Sequence, residues 1–580
     1  MDLCTVARED NGQIVEENLW HDLAGLTDQI GLTADSSRVG REGLAHRELK
    51  RGMAGSGSAS STWAPLRIGL FRALWIAALV SNVGTWMQTV GAQWLLVHDA
   101  HAAILVSLVQ TADTLPAVLF ALVAGVLADI FNRARLLVAV LAGMTAVGAA
   151  LTALTAADRM PPALLLMFTF VLGTGAILVT PAYQSLVPDM VPRPQVPAAA
   201  ALGSISINLA RAIGPAIAGL LVARIGVTAV FALNTATFLL YAIVVACHPQ
   251  LGGTPQSPER FIPGLRAGGR YVRHAPVVRR TLLRAALFLV PGSSLWALLP
   301  LIATSRLGLG PGGYGVLLGA LGAGAVGGAF LLPQIRARLT ANALVAAASL
   351  TYAAALAAVA LSRSLAFTIP ALLPAGVAWI AFLSNVNAAL QLFLPRWVRA
   401  RGLSAYQMVL FGAQAAGAAI CGVVAGAAGL VPAFLISAAV MAAGAATLWF
   451  WPFHQIAGMD RSLVRWPEPQ LLISADHGNR PVLVRTTYTI AAEKEHQFLQ
   501  VMAGLRQSRL RTGATDWALY QDGQNPRLFN ELFRVPSWEE HLRQHHQRQT
   551  GTDLQYHDDA AALSEPPPQT GHYLATNVHQ

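Results

Sequence analysis

Asp113 lies within an apolar run that extends from about residue 103 to 127, and it is the only carboxylate well inside any such run. Between Ile68 and Cys247 the other acids are Asp99, Asp129, Asp158 and Asp189, all at the ends of runs, and from Arg260 to His454 there is neither Asp nor Glu. Hydrocarbon penalises an ionised carboxylate, so a carboxyl group held there can take up and release a proton as its surroundings change. Two structural roles stand beside that chemistry: a hydrogen bond to a neighbouring helix near water, or a pair with a buried base. Arg211 is the only basic residue near the middle of a run, at a depth comparable to that of Asp113, where it either pairs with the acid or anchors carbonyls of a bent helix. Neutral polar groups occur in the same setting. Asn82, Gln88, Asn234, Asn385, Asn387 and Gln391 interrupt apolar stretches, where they bind a ligand or hydrogen-bond between helices. Trp86, Trp94, Trp296 and Trp379 either stack on an aromatic ligand or anchor helix ends at an interface.

The elements that must position these groups are long apolar helices. Of the 580 residues 54% are hydrophobic and 12% charged, against about 25% charged in soluble domains. Runs of about 20 apolar residues match a hydrocarbon core of about 30 Å at 1.5 Å rise per residue. They fall near 68–96, 103–127, 135–157, 161–187, 197–223 and 227–247, then near 281–305, 314–333, 341–362, 366–392, 402–429 and 431–451. The expected fold is therefore an all-α membrane protein of about twelve transmembrane helices in two six-helix halves, with a substrate site between the halves near mid-bilayer. The halves span 63–247 and 281–455. Arginines gather in alternate connections: Arg133 and Arg135, Arg193, the group from Arg260 to Arg280, Arg336 and Arg338, and Arg396, Arg399 and Arg401. The other connections hold single arginines, so both termini are expected on the cytoplasmic side. The basic linker 248–280 alternates Phe261, Ile262, Leu265, Tyr271 and Val272 with arginines, as an amphipathic helix on the inner leaflet or a simple tether would.

The formal charge of +10 resides in these short connections, which excludes a nucleic-acid face. Lys50 and Lys494 are the only lysines and neither follows glycine, so no phosphate-cradling Gly-Lys-Ser/Thr loop exists. Cys4, Cys247 and Cys421 are too scattered for a disulfide framework or a zinc cluster. Residues 1–62 read as a polar, disordered extension without a signal peptide, with either Met1 or Met53 as start.

Beyond Trp451 hydropathy falls. Residues 476–557 read as a soluble α+β domain: strand 481–490, helix 491–511, strands 516–521 and 527–535, and a helix capped by Ser537 that runs to about Arg548. A disordered tail is expected over 558–580. His541 and His545 have i, i+4 spacing with His546 beside them, but no Glu between them and no third ligand, so they read as an exposed polar helix face. No metal and no cofactor are expected.

Two motifs carry a resemblance. Gly125-Val-Leu-Ala-Asp129-Ile-Phe-Asn-Arg133-Ala-Arg135, between the second and third runs, resembles the signature loop of the major facilitator superfamily. Gly125, Leu127, Ala128, Asp129 and Arg133 match it, whereas Ile130, Asn132 and Ala134 depart. Asn208-Leu-Ala-Arg211-Ala-Ile-Gly214-Pro215-Ala-Ile-Ala-Gly219, in the fifth run, resembles the Gly-Pro motif of the superfamily's exporters. With Pro181 to Pro188 upstream, the pattern is similar to the enterobactin-exporter-like, or transmembrane secretion effector, branch over about residues 63–455. That resemblance implies a multi-pass protein of the bacterial inner membrane that acts as a proton-coupled efflux antiporter for a small molecule rather than as an enzyme. It implies gate roles for Asp129, Arg133 and Arg135, and cavity positions for Asn82, Gln88, Asn387 and Gln391 in the first and tenth helices. Import by the same mechanism remains open. The C-terminal domain resembles the dimeric ferredoxin-like α+β modules of antibiotic-biosynthesis-type monooxygenases. This implies dimerisation through that domain and leaves a tethered oxygenase or ligand-sensing role open.

Overall fold

The structure is a computed structural model and describes residues 9–10, 13–14, 63–248, 269–452 and 480–576. Residues 9–10 and 13–14 pair as short antiparallel strands within a unit of their own, Met1–Trp63; the rest of the 1–62 extension lies outside the described residues. So do Phe261, Ile262 and Leu265 of the linker, whose last turn, 269–274, is helical and buries Tyr271.

The apolar runs form helices α1 (Gly69–Leu95), α2 (Ala102–Ile130), α3 (Arg133–Ala156), α4 (Pro162–Met190), α5 (Val196–Arg224) and α6 (Val227–Ala246). After the linker come α7 (Pro276–Leu301), α8 (Pro311–Arg338), α9 (Ala341–Leu361), α10 (Leu365–Phe393), α11 (Arg396–Ala428) and α12 (Leu430–Ala446). The first eleven are long and apolar enough to cross a membrane, while α12 is a shorter apolar helix of 17 residues. Helices α7 and α11 start several residues before their apolar runs. Proline at Pro276 fits a first helical turn, and arginine is a good helix former that carries the helix beyond its apolar stretch. Side chains terminate other helices: Asn132 accepts from the Arg135 amide at the start of α3, and Thr340 from the Ala343 amide at the start of α9.

Helix contacts repeat with a shift of six. Pairs α1·α5, α1·α6, α2·α4, α3·α4 and α3·α6 recur as α7·α11, α7·α12, α8·α10, α9·α10 and α9·α12. The main contacts across the halves, α2·α11 and α5·α8, exchange under the same shift. Even the turns correspond: Gly226 between α5 and α6 and Gly429 between α11 and α12 have φ of 99° and 92°, a region open to glycine and strained for other residues.

The C-terminal domain runs β1 (Val482–Thr489), α13 (Glu495–Thr512), β2 (Asp516–Gln521), β3 (Leu528–Val535), α14 (Trp538–Arg543), α15 (Gly551–Ala562) and β4 (Gln569–Leu574). All pairings are antiparallel, in the order β2-β3-β1-β4. Strand β1 alternates buried and outward residues, which packs Val482, Val484 and Tyr488 beneath the helices. The expectation of a disordered tail from Asp558 is corrected here. That stretch completes α15 and adds β4 as an edge strand, because β1 supplies the backbone partners that so polar a strand lacks by itself.

The domain docks on the end of the bundle that carries the linker. Arg270, just before α7, meets Glu540 of α14 at 3.1 Å, and Glu540 also accepts from Arg548 at 2.7 Å. The Arg548 guanidinium lies 4.9 Å from the ring centre of Trp397 in α11, which Tyr271 meets edge-on.

Candidate functional site

A cavity of about 510 Å³ lies between the halves, and α2, α4, α5, α10 and α11 line it with residues at helical-face spacing. Helix α2 contributes Gln110, Asp113, Thr114, Ala117 and Ala121; α11 contributes Ser404, Gln407, Met408, Phe411 and Gln414. Helix α4 presents Thr180, Pro181 and Gln184, and α5 presents Ile207 and Arg211. Trp86, Trp296 and Trp379 complete the wall from α1, α7 and α10. The two charges singled out by the sequence thus share one chamber, to which the second half brings only aromatic, apolar and neutral polar groups. Asp113 is about 17 Å along α2 from its start, close to the middle of the helix. Among the described residues no ion pair within 4 Å joins Asp113 to Arg211 or to any other base.

Arg211 is placed by its neighbours. Its Nε is buried without a hydrogen-bond partner, and its guanidinium stands 5.4 Å from the ring centre of Trp86. Gly214, one turn on, makes that stacking geometry available: a β-carbon there would come within 2.7 Å of the Trp86 β-carbon. Trp86 in turn meets Trp296 at 5.8 Å, and Trp296 meets Trp379 at 5.6 Å, forming a continuous aromatic wall. Gly219 brings α5 against α8; its β-carbon would lie 2.7 Å from the Pro311 carbonyl oxygen. Pro215 between them is buried.

The halves meet at the end of the bundle away from the linker. Gln93 donates to the Trp296 carbonyl at 3.0 Å and accepts from the Tyr314 hydroxyl at 2.5 Å, while Trp94 stacks on Tyr314. Thr111 donates across the halves to the Ala415 carbonyl at 3.0 Å. The cavity extends from this contact toward the linker end, as far as Ala121 and Ser404.

Asn82 lines an adjoining cavity of about 500 Å³ within the first half, which shares Thr180, Gln184 and Ile207 with the central one, and it donates to Ser206 at 3.3 Å. Gln88 is committed elsewhere, since its carbonyl oxygen accepts from Asn234 in the buried α1–α6 contact. Asn387 and Gln391 lie farther along α10 than Trp379 and Leu383 and are not among the cavity-lining residues. At the start of α3, Arg133 donates to the Ser185 carbonyl at 3.2 Å and stands 3.7 Å from Asp189. Arg135 is exposed, Gly125 has open space beside it, and the Asp129 side chain lies outside the described residues. The sequence pattern did not single out Gln110, Gln184, Gln407 or Gln414, although a stripe of polar residues at spacings of three and four would have found Gln110 in α2 and Gln407 in α11.

In the C-terminal domain His541 and His545 are buried rather than exposed, and His572 of β4 joins them. The nearby acids are all met by bases. Arg509 pairs with the wholly buried Glu531 at 3.1 Å, and Trp517 and Tyr488 also donate to that carboxylate. Arg511 pairs with Asp553.

A two-fold helical bundle around a central chamber is the architecture of a membrane transporter rather than of an enzyme. The sequence pattern of the transmembrane secretion effector family matches residues 60–580, and the chain belongs to that family. It is 25% identical over 256 residues to the staphyloferrin A transporter of Staphylococcus aureus, 44% of this chain and 64% of that protein. It is 24% identical to macrolide efflux protein A of Streptococcus pyogenes over 40% of this chain and 58% of that one, and 29% identical to the multidrug efflux pump Tap of Mycobacterium tuberculosis over 35% and 51%. The chain thus spans roughly half to two thirds of the length of these relatives. Among solved structures it shares the fold of the nucleoside transporter NupG, with a TM-score of 0.54 at 14% identity over 66% of this chain and 99% of that one. It also shares that of a bacterial homologue of the human lysosomal transporter Spinster, with a TM-score of 0.53 at 16% identity over 67% and 95%.

Proposed function

We propose that this protein exports small amphipathic molecules across the bacterial inner membrane by proton-coupled alternating access. The observation that carries the reading is the central cavity, in which Asp113 and Arg211 face one chamber with no ion pair between them. Its volume suits a drug-sized ligand, and its aromatic wall with scattered amides suits amphipathic compounds of the siderophore, macrolide or multidrug kinds named in its relatives. We read α12 as a twelfth span, since 17 apolar residues reach the lower limit for crossing. The arginine-rich connections favour the cytoplasm for the linker end, and with that orientation the contact at the opposite end supports reading this as an inward-facing form, ready to load from inside. A proton entering from outside and neutralising Asp113 would change the balance between the two states. Arg133 and Arg135 with Asp129 belong to the inner gate in this reading, and the Gly214-Pro215-Gly219 segment to the pivot between α5, α1 and α8. The C-terminal domain, a ferredoxin-like split βαβ arrangement, acts as a docked regulatory or dimerising unit.

The test is the accumulation of macrolides, siderophores and hydrophobic cations in an efflux-deficient bacterium that expresses the protein. Lower accumulation of at least one compound, reversed by a protonophore, is the expected result. Higher accumulation in expressing cells would establish import and overturn export.

A further inference from the structure

We propose that His541, His545 and His572 form a binding site for a divalent transition-metal ion of the zinc class in the C-terminal domain. The three imidazoles come from three elements. His541 closes the first turn of α14, His545 lies four residues on in the π-helical turn Gln544–Arg548, and His572 belongs to edge strand β4. Their ligand atoms all lie within 4.8 Å of one another. Nitrogens on a tetrahedral zinc stand about 3.4 Å apart at bonds of about 2.0–2.1 Å, so the rings need draw in by roughly 1 Å, within the reach of ring rotation.

His541 supplies the second observation. Its side chain is 1% exposed, and its Nε2 has no hydrogen-bond partner, although a buried polar atom left unsatisfied is costly. Its Nδ1 faces the Gln544 side-chain oxygen at 3.3 Å, and Gln544 is itself oriented by donating to the Thr512 hydroxyl at 2.8 Å. An amide oxygen only accepts, so Nδ1 carries the proton and Nε2 presents its lone pair. That is the outer-shell arrangement that orients a metal-binding histidine. Burial and the neighbouring His545 and His572 hold the His541 imidazole down at about 3, and burial lowers that of His572, so these rings are neutral ligands at pH 7. Three nitrogen donors without a carboxylate select zinc, cobalt, nickel or copper over magnesium and calcium, which require oxygen. The fourth position is left for water or another ligand.

An ion there would tie the turn after α14 to β4. The same turn carries Arg548, and α14 carries Glu540, the two residues that touch Trp397 and Arg270 of the bundle. Metal occupancy would therefore stiffen the element through which the domain docks.

The test uses tag-free full-length protein in detergent, stripped with a chelator and titrated with Co²⁺, whose visible absorption reports tetrahedral coordination, and with Zn²⁺ in competition. One ion per chain is expected, with Mg²⁺ and Ca²⁺ ineffective. His541→Ala and His572→Gln should each weaken binding at least about 100-fold and Gln544→Ala about 10-fold, while the neighbouring His546→Ala leaves it unchanged. Circular dichroism checks the fold; His572 is half-buried on an edge strand, so His572→Gln decides the matter if His541→Ala unfolds. Failure of the wild type to bind Co²⁺ stoichiometrically, or undiminished binding by folded His572→Gln, would overturn the proposal.

Discussion

In the C-terminal domain the buried acids are met by bases: Glu531 by Arg509, Asp553 by Arg511, and Glu540 by Arg548 and Arg270. In the bundle, Asp113 and Arg211 line one cavity and no ion pair joins them. Both regions contain charge away from water, which is costly in either place. The difference teaches that the domain uses charge to hold one structure, whereas the cavity leaves its two charges without an ion pair, as the proposed proton coupling requires. A satisfied network rigidifies; an unsatisfied one can change state.

The sharpest way to break this comparison is to remove one member of an ion pair from the domain. Arg509→Met should destabilise the C-terminal domain by about 3–5 kcal/mol by stranding Glu531, and the double change Arg509→Met/Glu531→Leu should recover much of that loss. Hydrogen exchange of β1 and β3 amides measures both. If Arg509→Met alone is neutral, the ion pair is not what holds the sheet to α13. A smaller effect is expected at the crossing of the halves, where Gly219→Val inserts a side chain against the Pro311 carbonyl. About 1–3 kcal/mol should be lost, seen as a lower melting temperature in detergent.

The domain should also be the more acid-sensitive region. His541 stays neutral in the folded state down to about 3, whereas the unfolded chain protonates it near 6.5. Between those values the unfolded state binds more protons, so stability is present above about pH 6.5 and is lost as pH falls toward 3. Asp553 adds to the loss at the acid end: burial opposes its ionisation, but Arg511, Ser508 and Thr550 outweigh that and hold its carboxyl below the usual range. Replacing His541 by phenylalanine should flatten the upper part of that slope, read again by exchange of the sheet amides. The smallest change is expected from Arg270→Ala. Its contact with Glu540 is partly exposed, so about 1 kcal/mol or less of docking is lost, with faster exchange in α14 and none in β1.

The helices were legible because hydropathy over about 20 residues is a local signal, and Asp113 and Arg211 were legible because charge stands out against it. Which neutral amides face the cavity was less so. Asn82 and Gln88 lie less than two turns apart on one helix, yet Asn82 lines a cavity of about 500 Å³ while Gln88 is tied to Asn234 beside a far smaller one, a distinction set by helix rotation rather than by residue type. The histidine cluster was hidden for a different reason. His572 lies in a polar edge strand after Pro566, Pro567 and Pro568, and only pairing with β1 brings it to His541. Sequence distance and weak local pattern together concealed a contact that tertiary structure creates.

The most direct measurement is gradient-driven transport in proteoliposomes that contain the wild type or Asp113→Asn at equal density, with a compound found in the accumulation panel. The wild type should concentrate it against its gradient when a pH difference is imposed. Asp113→Asn should still exchange it downhill but lose at least about 90% of the uphill component, since a neutral amide cannot carry the proton. Uphill transport by Asp113→Asn equal to that of the wild type would contradict the assignment of proton coupling to this carboxylate.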